Sequence, residues 1–230
     1  MIGVIIIVYK PNEEKLLKLI LSIKDESEKI FIHLNSSISN EIKQKLNKIK
    51  NVIFSDKKKN IGLSKSQNIG INLFDEMKIK YVCFFDQDTE IKNINYLTQM
   101  KSITKLMSKK RLLPGAIGPT LLNSFSKKQY SKYKTIKSLG EYTEVRELMN
   151  SGLMIPLEVL KDVGFFQENF FIDLIDFEWC WRARNKGYKL YQINKLNLNH
   201  YLGEGDITIL FWKIPIPKPH RLYYQLRNYI

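Results

Sequence analysis

The stretch Tyr81-Val-Cys-Phe-Phe-Asp86-Gln-Asp88-Thr-Glu90 is an apolar run that ends at two carboxylates one residue apart. The apolar part predicts a buried strand. Side chains two positions apart in an extended chain point the same way, so Asp86 and Asp88 can hold one cation between them. Mg²⁺ and Mn²⁺ are bound through a few carboxylate oxygens, and water and phosphate fill the other positions. The alternative interpretation is a strand followed by an ordinary Asp-rich turn.

The chain before this stretch alternates between strand-type and helix-type segments. The predicted strands cover residues 2–8, 29–34, 52–55 and 81–85, and the predicted helices cover residues 13–24, 41–49 and 64–74. This alternation predicts an α/β fold with a doubly wound, mostly parallel sheet flanked by helices. Ligands bind outside the carboxyl ends of the strands in such sheets. The position of Asp86 and Asp88 therefore favours the cation site over the turn.

The second half of the chain has a different rhythm. Helices are predicted over residues 93–107 and 157–163, strands over 115–122 and 190–198, and a loop or hairpin over the polar segment 123–139. The sequence contains neither an internal repeat nor a low-complexity linker. We therefore predict no boundary between two independent cores.

The composition is that of a folded and strongly basic protein. The 230 residues are 44% hydrophobic and carry a net charge of +14. A basic protein favours acidic partners, which are nucleic acid, anionic lipid headgroups or phosphorylated substrates, and charge alone does not choose among them. The apolar N-terminus predicts a first strand rather than a signal peptide. No uncharged apolar run reaches the roughly 18 residues that span a bilayer, so any membrane contact is expected to be peripheral.

The cysteine and histidine content excludes a zinc site. Cys83 and Cys180 are the only cysteines, both lie in apolar surroundings, and the chain has 3 histidines. Reduced, buried thiols of a cytosolic protein are the expected state.

The segment from Phe170 to Arg184 is the densest group of polar and aromatic residues in the chain. Asp173 and Asp176 precede or open a predicted helix, where carboxylates are stabilised by the free amides and the helix dipole. A pair of capping residues is one interpretation. The alternative follows from the two Trp, the Glu and the two Arg nearby, which a cap does not need. A carboxylate in a partly apolar pocket is able to act as a general base.

Two further stretches carry weaker signals. His200 follows a predicted strand, where a histidine is either structural or a ligand of a metal or phosphate. Lys65 lies where a polar loop enters a helix, and such an N-terminus suits a diphosphate or ribose. The loop has neither the P-loop nor the dinucleotide-binding glycine pattern, so an ordinary helix start is the alternative.

Several segments match a known family in order and spacing. They are Val8-Tyr9-Lys-Pro11-Asn12, Asn60-Ile-Gly-Leu-Ser-Lys-Ser-Gln-Asn68-Ile-Gly70, Phe84-Phe-Asp86-Gln-Asp88, Asn150-Ser-Gly152, Val163-Gly-Phe-Phe166, Phe170 to Arg184 and His200-Tyr-Leu-Gly203. Together they resemble the nucleotide-sugar transferases of glycosyltransferase family 2, which have the GT-A fold, and more narrowly the rhamnosyltransferase-type members. The segment Arg221-Leu-Tyr-Tyr-Gln-Leu-Arg227-Asn228 resembles a Tyr-Tyr…Arg-Asn stretch that follows the transferase domain in this group.

The resemblance implies an inverting, metal-dependent glycosyltransferase that uses Mg²⁺ or Mn²⁺. It implies that Asp88, Asp86 and His200 hold the metal and that Asp176 is the catalytic base. It assigns these residues to nucleotide-sugar binding: Val8, Tyr9, Asn35, Asn60, Lys65, Asn68, Asp86 and Gln87. It assigns these residues to the acceptor and sugar pocket: Asp173, Glu178 and Trp179. The family's base-binding Asp corresponds here to Leu34, and Asn35 is a substitute candidate.

The resemblance also implies partners and a location. The expected donor is dTDP-rhamnose or another dTDP- or UDP-sugar, and the expected acceptor is a glycan or a lipid-linked glycan of cell-surface polysaccharide synthesis. We expect the protein in the cytoplasm, in peripheral contact with the inner face of the cell membrane, and without a nucleic-acid partner. A nucleotide-sugar-binding protein without turnover is the main alternative, and a basic nucleic-acid-binding module is the weaker one.

The predicted organisation is one GT-A domain and a tail. The domain covers residues 1–205, with a nucleotide-sugar half at 1–92 and an acceptor and catalytic half at 93–205. Residues 206–230 form a C-terminal tail that is membrane-proximal or truncated. The sequence leaves the oligomeric state open.

Overall fold

The computed structural model describes residues 1–56, 59–123, 134–200, 206–209, 212–215 and 219–229. The strands are β1 (Ile2–Val8), β2 (Lys29–Leu34), β3 (Val52–Asp56), β4 (Tyr81–Asp86), β5 (Glu90–Ile91), β6 (Pro114–Asn123), β7 (Thr135–Ser138), β8 (Tyr142–Val145), β9 (Leu153–Pro156), β10 (Lys189–His200), β11 (Asp206–Ile209) and β12 (Trp212–Pro215). The helices are α1 (Glu13–Ile23), α2 (Asn40–Asn47), α3 (Leu63–Glu76), α4 (Tyr96–Lys109), α5 (Leu157–Val163), α6 (Ile175–Asn185) and α7 (Pro219–Tyr229), with a 3₁₀ turn at Glu168–Phe170.

One large sheet runs through the protein in the order β3-β2-β1-β4-β9-β6-β10-β8-β7, and β5 pairs with β10. The first four strands are parallel, as are β6 and β10. Strand β9 is antiparallel and lies between β4 and β6. Because Ile7 of β1 pairs with Asp86 of β4, the carboxyl ends of these strands meet at the same edge. The predicted α/β fold with a mostly parallel sheet is confirmed.

Two apolar layers cover the two faces of the sheet. Strand β1 consists of β-branched residues and one glycine, and it is buried on both faces, as expected for a central parallel strand. Its residues alternate between the layers because side chains of a strand point to opposite faces. One layer contains the buried faces of α1, α2 and α4. The other contains those of α3, α5 and α6.

The second half differs from the sequence prediction in its pairing. The antiparallel β9 was not predicted. The hairpin of β7 and β8 includes the end of the predicted loop or hairpin, whose residues 124–133 lie outside the described part. In the tail, β11 and β12 form an antiparallel pair, and α7 follows. None of the helices in the described ranges is both long and apolar enough to cross a membrane.

Phe84 offers a test of the packing between the sheet and its second layer. Its side chain is fully buried, and its ring packs edge-on against that of Phe166, with 5.3 Å between the ring centroids. We expect Phe84→Ala to lower the free energy of unfolding by about 3–5 kcal/mol through lost burial and the cavity left behind. Urea denaturation measures the change. Ile94→Ala, at a side chain that is 83% exposed, should change the free energy by less than about 0.5 kcal/mol. Equal midpoints for the two variants would contradict this packing.

Candidate active site

Asn150 joins the two carboxylates that the sequence singled out. Its side-chain Nδ2 donates to Asp86 Oδ1 at 3.1 Å, and its backbone N–H donates to Asp176 Oδ2 at 2.8 Å. Its own Oδ1 accepts from Gln67 Nε2 of α3 at 2.7 Å. One residue thus connects the end of β4 and α3 through its side chain and the start of α6 through its backbone. Asn150 belongs to the segment Asn150-Ser-Gly152 that matches the family, but the sequence alone predicts no role for it.

The turn that carries Asn150 has little freedom to change. Gly152 has a positive φ of +77°, and a Cβ there would lie 2.4 Å from Leu198 Cδ1 and 2.6 Å from Tyr96 Oη. Only glycine fits both the backbone conformation and the space. Next to it, the Ser151 and Thr89 hydroxyls share a hydrogen bond of 2.7 Å. This turn leads into β9, so the antiparallel strand is what brings Asn150 to the end of β4.

Asp176 lies in surroundings that suit a general base. Its carboxylate accepts hydrogen bonds from the backbone N–H groups of Asn150 at 2.8 Å and Phe177 at 3.0 Å. Burial raises the pKa of Asp176 to about 6, the charge of Asp86 contributes in the same direction, and the two backbone bonds oppose the rise. A carboxylate with a pKa of about 6 is ionised at neutral pH and still accepts a proton more readily than an exposed one.

Asp86 is the last residue of β4 and Asp88 lies in the turn after it, and both residues are half-buried. Within the described ranges, no group of three His, Cys, Asp or Glu side chains is placed to hold a metal ion. His200 ends β10, but its side chain lies outside the described part, so its predicted role as third ligand stays a prediction. Two carboxylates fit a hard divalent cation whose other ligands are water and diphosphate oxygens.

Tyr9 and Gln87 tie this turn to the end of β1. The Tyr9 N–H donates to Gln87 Oε1 at 2.8 Å, and Gln87 Nε2 donates to the Tyr9 carbonyl at 2.9 Å. Tyr9 is 47% exposed, and the Nζ atom of Lys10 lies 5.5 Å from the centre of its ring. The side chain of Val8 is buried, and its carbonyl accepts a hydrogen bond from the Asn35 N–H. Val8 can therefore contact a ligand only through its backbone atoms.

Asn35 and Asn60 shape the loop before α3. Asn35 Nδ2 donates to the Gly62 carbonyl at 3.3 Å and to Ser66 Oγ at 3.1 Å, while its Oδ1 accepts from the Ile61 N–H at 3.1 Å. Asn60 Oδ1 accepts from the Gly62 N–H at 2.9 Å. The amide nitrogen and oxygen of the buried Asn35 form hydrogen bonds within the protein. Any effect of Asn35 on nucleotide binding is therefore indirect.

Asn68 and Lys65 on α3 also have partners within the chain. Asn68 exchanges two hydrogen bonds with the backbone of Phe166, at 2.8 and 3.1 Å, and is buried. Lys65 is exposed and lies 3.4 Å from a carboxylate oxygen of Glu168. The structure therefore gives Asn68 a structural position, and it leaves Lys65 at the surface near the start of the helix.

Glu178 and Trp179 on α6 both have hydrogen-bond partners within the chain. Glu178 pairs with Arg182 at 2.5 Å, and Arg182 donates to the carbonyl of Phe165 at 2.8 Å. Trp179 is fully buried and donates from Nε1 to the Gly164 carbonyl at 2.9 Å. Both side chains thus connect α6 to the segment after α5, and their place in the acceptor pocket stays a prediction.

The loop before α6 has an unusual backbone. Phe171, Asp173 and Leu174 have positive φ angles of 61°, 66° and 59°, and each such non-glycine residue costs about 1–3 kcal/mol. The Asp173 carboxylate binds the guanidinium of Arg221 on α7, with a Nε to Oδ2 distance of 3.1 Å.

Arg221 is a site residue that the sequence analysis missed. The hydrogen bond to Asp173 raises the pKa of Arg221, and the charges of Asp173, Asp86 and Asp176 add to the effect. Arg221 therefore lies in the field of three carboxylates. The signal for it was present in the match of the Tyr-Tyr…Arg-Asn stretch.

A sequence comparison identifies a related enzyme. The dTDP-rhamnosyl transferase RfbF of Shigella flexneri is 30% identical over 235 residues, which cover 97% of this chain and 77% of RfbF. No protein-family model matches the chain.

Solved structures with the same fold are similar over most of the chain. GalNAc-T7 with UDP, GalNAc and Mn²⁺ has a TM-score of 0.70 and 14% identity, covering 100% of this chain and 46% of that structure. TarS of S. aureus in complex with UDP-GlcNAc has a TM-score of 0.61 and 16% identity, covering 89% and 59%. The chain spans less than two thirds of either structure. Both show the fold, which is of the GT-A type that the resemblance implied.

The raised pKa of Asp176 predicts a pH-dependent cost to stability. The folded protein holds this proton up to about pH 6, whereas the unfolded chain releases it near about pH 4. Stability from this group is thus present below about pH 4 and is lost as the pH rises through 6. Asp176→Asn removes the titration, so the stability of the wild type relative to this variant should fall between pH 4 and 6 and level off above. Denaturation midpoints across this range measure the difference. A difference that does not change with pH would contradict the prediction.

Proposed function

Because the chain belongs to glycosyltransferase family 2, among its rhamnosyltransferase-like members, we propose that it transfers a sugar from a nucleoside-diphosphate donor to an acceptor hydroxyl with inversion at the anomeric carbon. The proposed donor is dTDP-rhamnose, in line with the name of RfbF. The proposed acceptor is a glycan or lipid-linked glycan in the synthesis of a cell-surface polysaccharide.

The observation that carries this proposal is the double contact of Asn150. It donates to Asp86 at 3.1 Å through its side chain and to Asp176 at 2.8 Å through its backbone. A carboxylate of cation-binding type and a carboxylate of base type thus lie on either side of one residue, at the ligand-binding edge of the sheet. Sugar transfer from a nucleoside diphosphate needs a cation-binding carboxylate and a general base close enough to act on the same donor molecule.

The reaction needs one proton acceptor from the protein. Asp176 takes the proton of the acceptor hydroxyl, and the hydroxyl oxygen forms a bond to the anomeric carbon. The bond between that carbon and the diphosphate oxygen breaks on the opposite face, and its electron pair leaves with the diphosphate. The products are a glycoside of inverted configuration, a nucleoside diphosphate and a protonated Asp176.

Asp88 and Asp86 are the residues proposed to hold the cation, with His200 as a third ligand. A bound Mg²⁺ or Mn²⁺ supplies neutralisation of the negative charge on the leaving diphosphate. The structure of GalNAc-T7 contains Mn²⁺ together with UDP, which supports a divalent cation here.

The end of β1 is the proposed place of the nucleoside. Tyr9 offers an exposed ring there, and Gln87 fixes its backbone next to Asp86. An aromatic face stacks on a nucleobase without regard to its hydrogen-bonding groups. This mode of binding suits a chain in which Leu34 stands where the resemblance implies an acidic residue.

Peripheral contact with the inner face of the cell membrane is the proposed location. The net charge of +14 favours an anionic leaflet. Helix α7 presents exposed apolar and aromatic side chains at Leu222, Tyr223, Leu226 and Tyr229, a composition suited to the membrane interface. This orientation would bring a lipid-linked acceptor towards α7.

A donor panel tests the proposed reaction. The protein is incubated with dTDP- and UDP-sugars, Mg²⁺ or Mn²⁺ and candidate acceptors, and the released nucleoside diphosphate is measured. We expect release from dTDP-rhamnose that stops with a chelator. Asp88→Ala and Asp176→Asn should each lower kcat by about 10²–10⁴-fold. Asp25→Ala, at a side chain that is 84% exposed, serves as the control and should match the wild type.

The other outcomes of this assay are equally informative. Tight binding of a donor with no turnover on any acceptor would make the chain a nucleotide-sugar-binding protein. Salt-sensitive binding to oligonucleotides without affinity for nucleotide sugars would overturn both of these functions.

Co-sedimentation with lipid vesicles tests the location. We expect the protein to sediment with vesicles that contain anionic phospholipid and to remain in solution with zwitterionic vesicles. Tyr223→Ser combined with Leu226→Ser should weaken the binding at least fivefold. Ile94→Ser, at an exposed residue outside α7, should not weaken it. Equal sedimentation with both kinds of vesicle, or by both variants, would refute the contact proposed for α7.

A further inference from the structure

One face of α7 packs against the loop at residues 169–174, which precedes the helix of Asp176. The inner face of α7 is defined here as Arg221, Tyr224, Arg227 and Asn228. Nothing in the proposed reaction requires a helix from beyond residue 205 at this place. The inner face nevertheless contains most of the polar contacts that the loop makes with other elements.

Asn228 makes the most concentrated set of these contacts. Its Nδ2 lies 3.0 Å from the Phe170 carbonyl, 2.8 Å from the Ile172 carbonyl and 2.9 Å from the Asp173 carbonyl. The residue is buried, with 9% exposure. An amide nitrogen has two hydrogens, so three carbonyls share them, and all three converge on one point. Such convergence fixes the path of the backbone between Phe170 and Asp173.

Aromatic and cationic groups complete the contact. The ring of Phe171 stacks on Tyr224 with centroids 5.1 Å apart and an angle of 16° between the planes. The Arg227 guanidinium lies 4.8 Å from the centre of the Tyr224 ring and donates to the Phe170 carbonyl at 2.9 Å and to the Asn169 carbonyl. The loop is therefore held through both its backbone and its side chain.

The opposite side of the loop rests on the start of α3. The Leu63 N–H donates to the Phe171 carbonyl at 2.5 Å. Gly62 has a positive φ of +88°, and a Cβ there would lie 2.9 Å from the Phe171 oxygen. The loop is thus clamped between the nucleotide half of the domain and α7. Helix α6 begins directly after it, and Asp176 is the second residue of that helix.

We propose that Asn228 and Arg221 are positioning residues for Asp176, acting through the 169–174 loop that α7 holds in its left-handed conformation. The inference rests on the proposed function for the role of Asp176. Residues with positive φ relax when their surroundings no longer impose that conformation. Release of the loop would turn the first residues of α6, and with them Asp176, away from Asn150. Asn228 fixes the backbone, and Arg221 holds the Asp173 side chain.

Arg221 has a second effect within this arrangement. Asp173, Asp86 and Asp176 all act on its guanidinium, so Arg221 pairs one of three neighbouring carboxylates. Without this partner, the Asp173 charge would repel the other two, and the loop would move to reach water. The same residue therefore holds the loop and limits the negative charge beside the cation site.

Hydrogen exchange tests the clamp without reference to activity. In Asn228→Ala, we expect exchange of the amides at 169–176 to become at least tenfold faster, with the β1 and β4 amides unchanged. Gln225→Ala is the matched control, because it removes an amide side chain from the same helix, and it should leave this exchange as in the wild type. Equal exchange in the two variants would overturn the inference, whatever the activity.

Kinetics distinguish a positioning role from a structural one. We expect Asn228→Ala to lower kcat at least tenfold while the Kd for dTDP with Mg²⁺ changes less than twofold, because the nucleotide contacts lie elsewhere. Arg221→Ala should lower kcat similarly, and the kcat of Arg221→Lys should be several-fold higher than that of Arg221→Ala. A loss in nucleotide affinity equal to the loss in kcat would overturn the inference, because α7 would then belong to the donor site.

Two further results keep the outcomes separate. If amide exchange in Asn228→Ala is rapid throughout the chain, the variant has lost structure generally, and the positioning role is tested by Arg221→Ala and Arg221→Lys instead. Equal kcat values for these two variants would overturn the positioning role of Arg221. If the wild type turns over no donor at all, the proposed function fails, and the exchange at 169–176 still decides whether α7 holds the loop.

Discussion

The site depends on the two hydrogen bonds that Asn150 donates to Asp86 and Asp176. Asn150 is neutral, so it holds two carboxylates near one another without cancelling their charge. A cationic side chain in its place would bind Asp86 more strongly, but its charge would also occupy the negative field that a cation and a diphosphate need. A neutral amide that is itself fixed by Gln67 provides the geometry and leaves the charge to the substrate complex.

Holding two carboxylates near one another with a neutral residue destabilises the folded protein. Burial and the neighbouring Asp86 raise the pKa of Asp176, which means that the ionised form is held at the expense of stability. The third carboxylate, Asp173, would add to this cost. Arg221 pairs with it, so the charge of Asp173 is balanced by a cation that also interacts with Asp86 and Asp176.

The sequence predicted the parts of the molecule that local patterns determine. Apolar periodicity located the strands and helices of the first half, and the parallel topology placed Asp86 at the ligand-binding edge. Asn150 and Arg221 were missed because their roles arise from contacts that span 64 and 48 residues. The antiparallel β9 creates the first of these contacts, and no local pattern indicates it. Conversely, Glu178 and Trp179 drew attention by residue type, but their side chains hold α6 in place.

The position of Asp176 follows from how α6 is held at two points. In its middle, Trp179 and Arg182 bind the carbonyls of the segment after α5, and these contacts fix the axis of the helix. The first turn follows directly on the left-handed residues of the loop, and α7 holds the carbonyls of that loop. The first turn is where Asp176 lies, so its direction depends on the loop. A fixed axis with a separately held first turn explains why strained backbone is concentrated at residues 171–174 and why the C-terminal helix, far away in sequence, packs there.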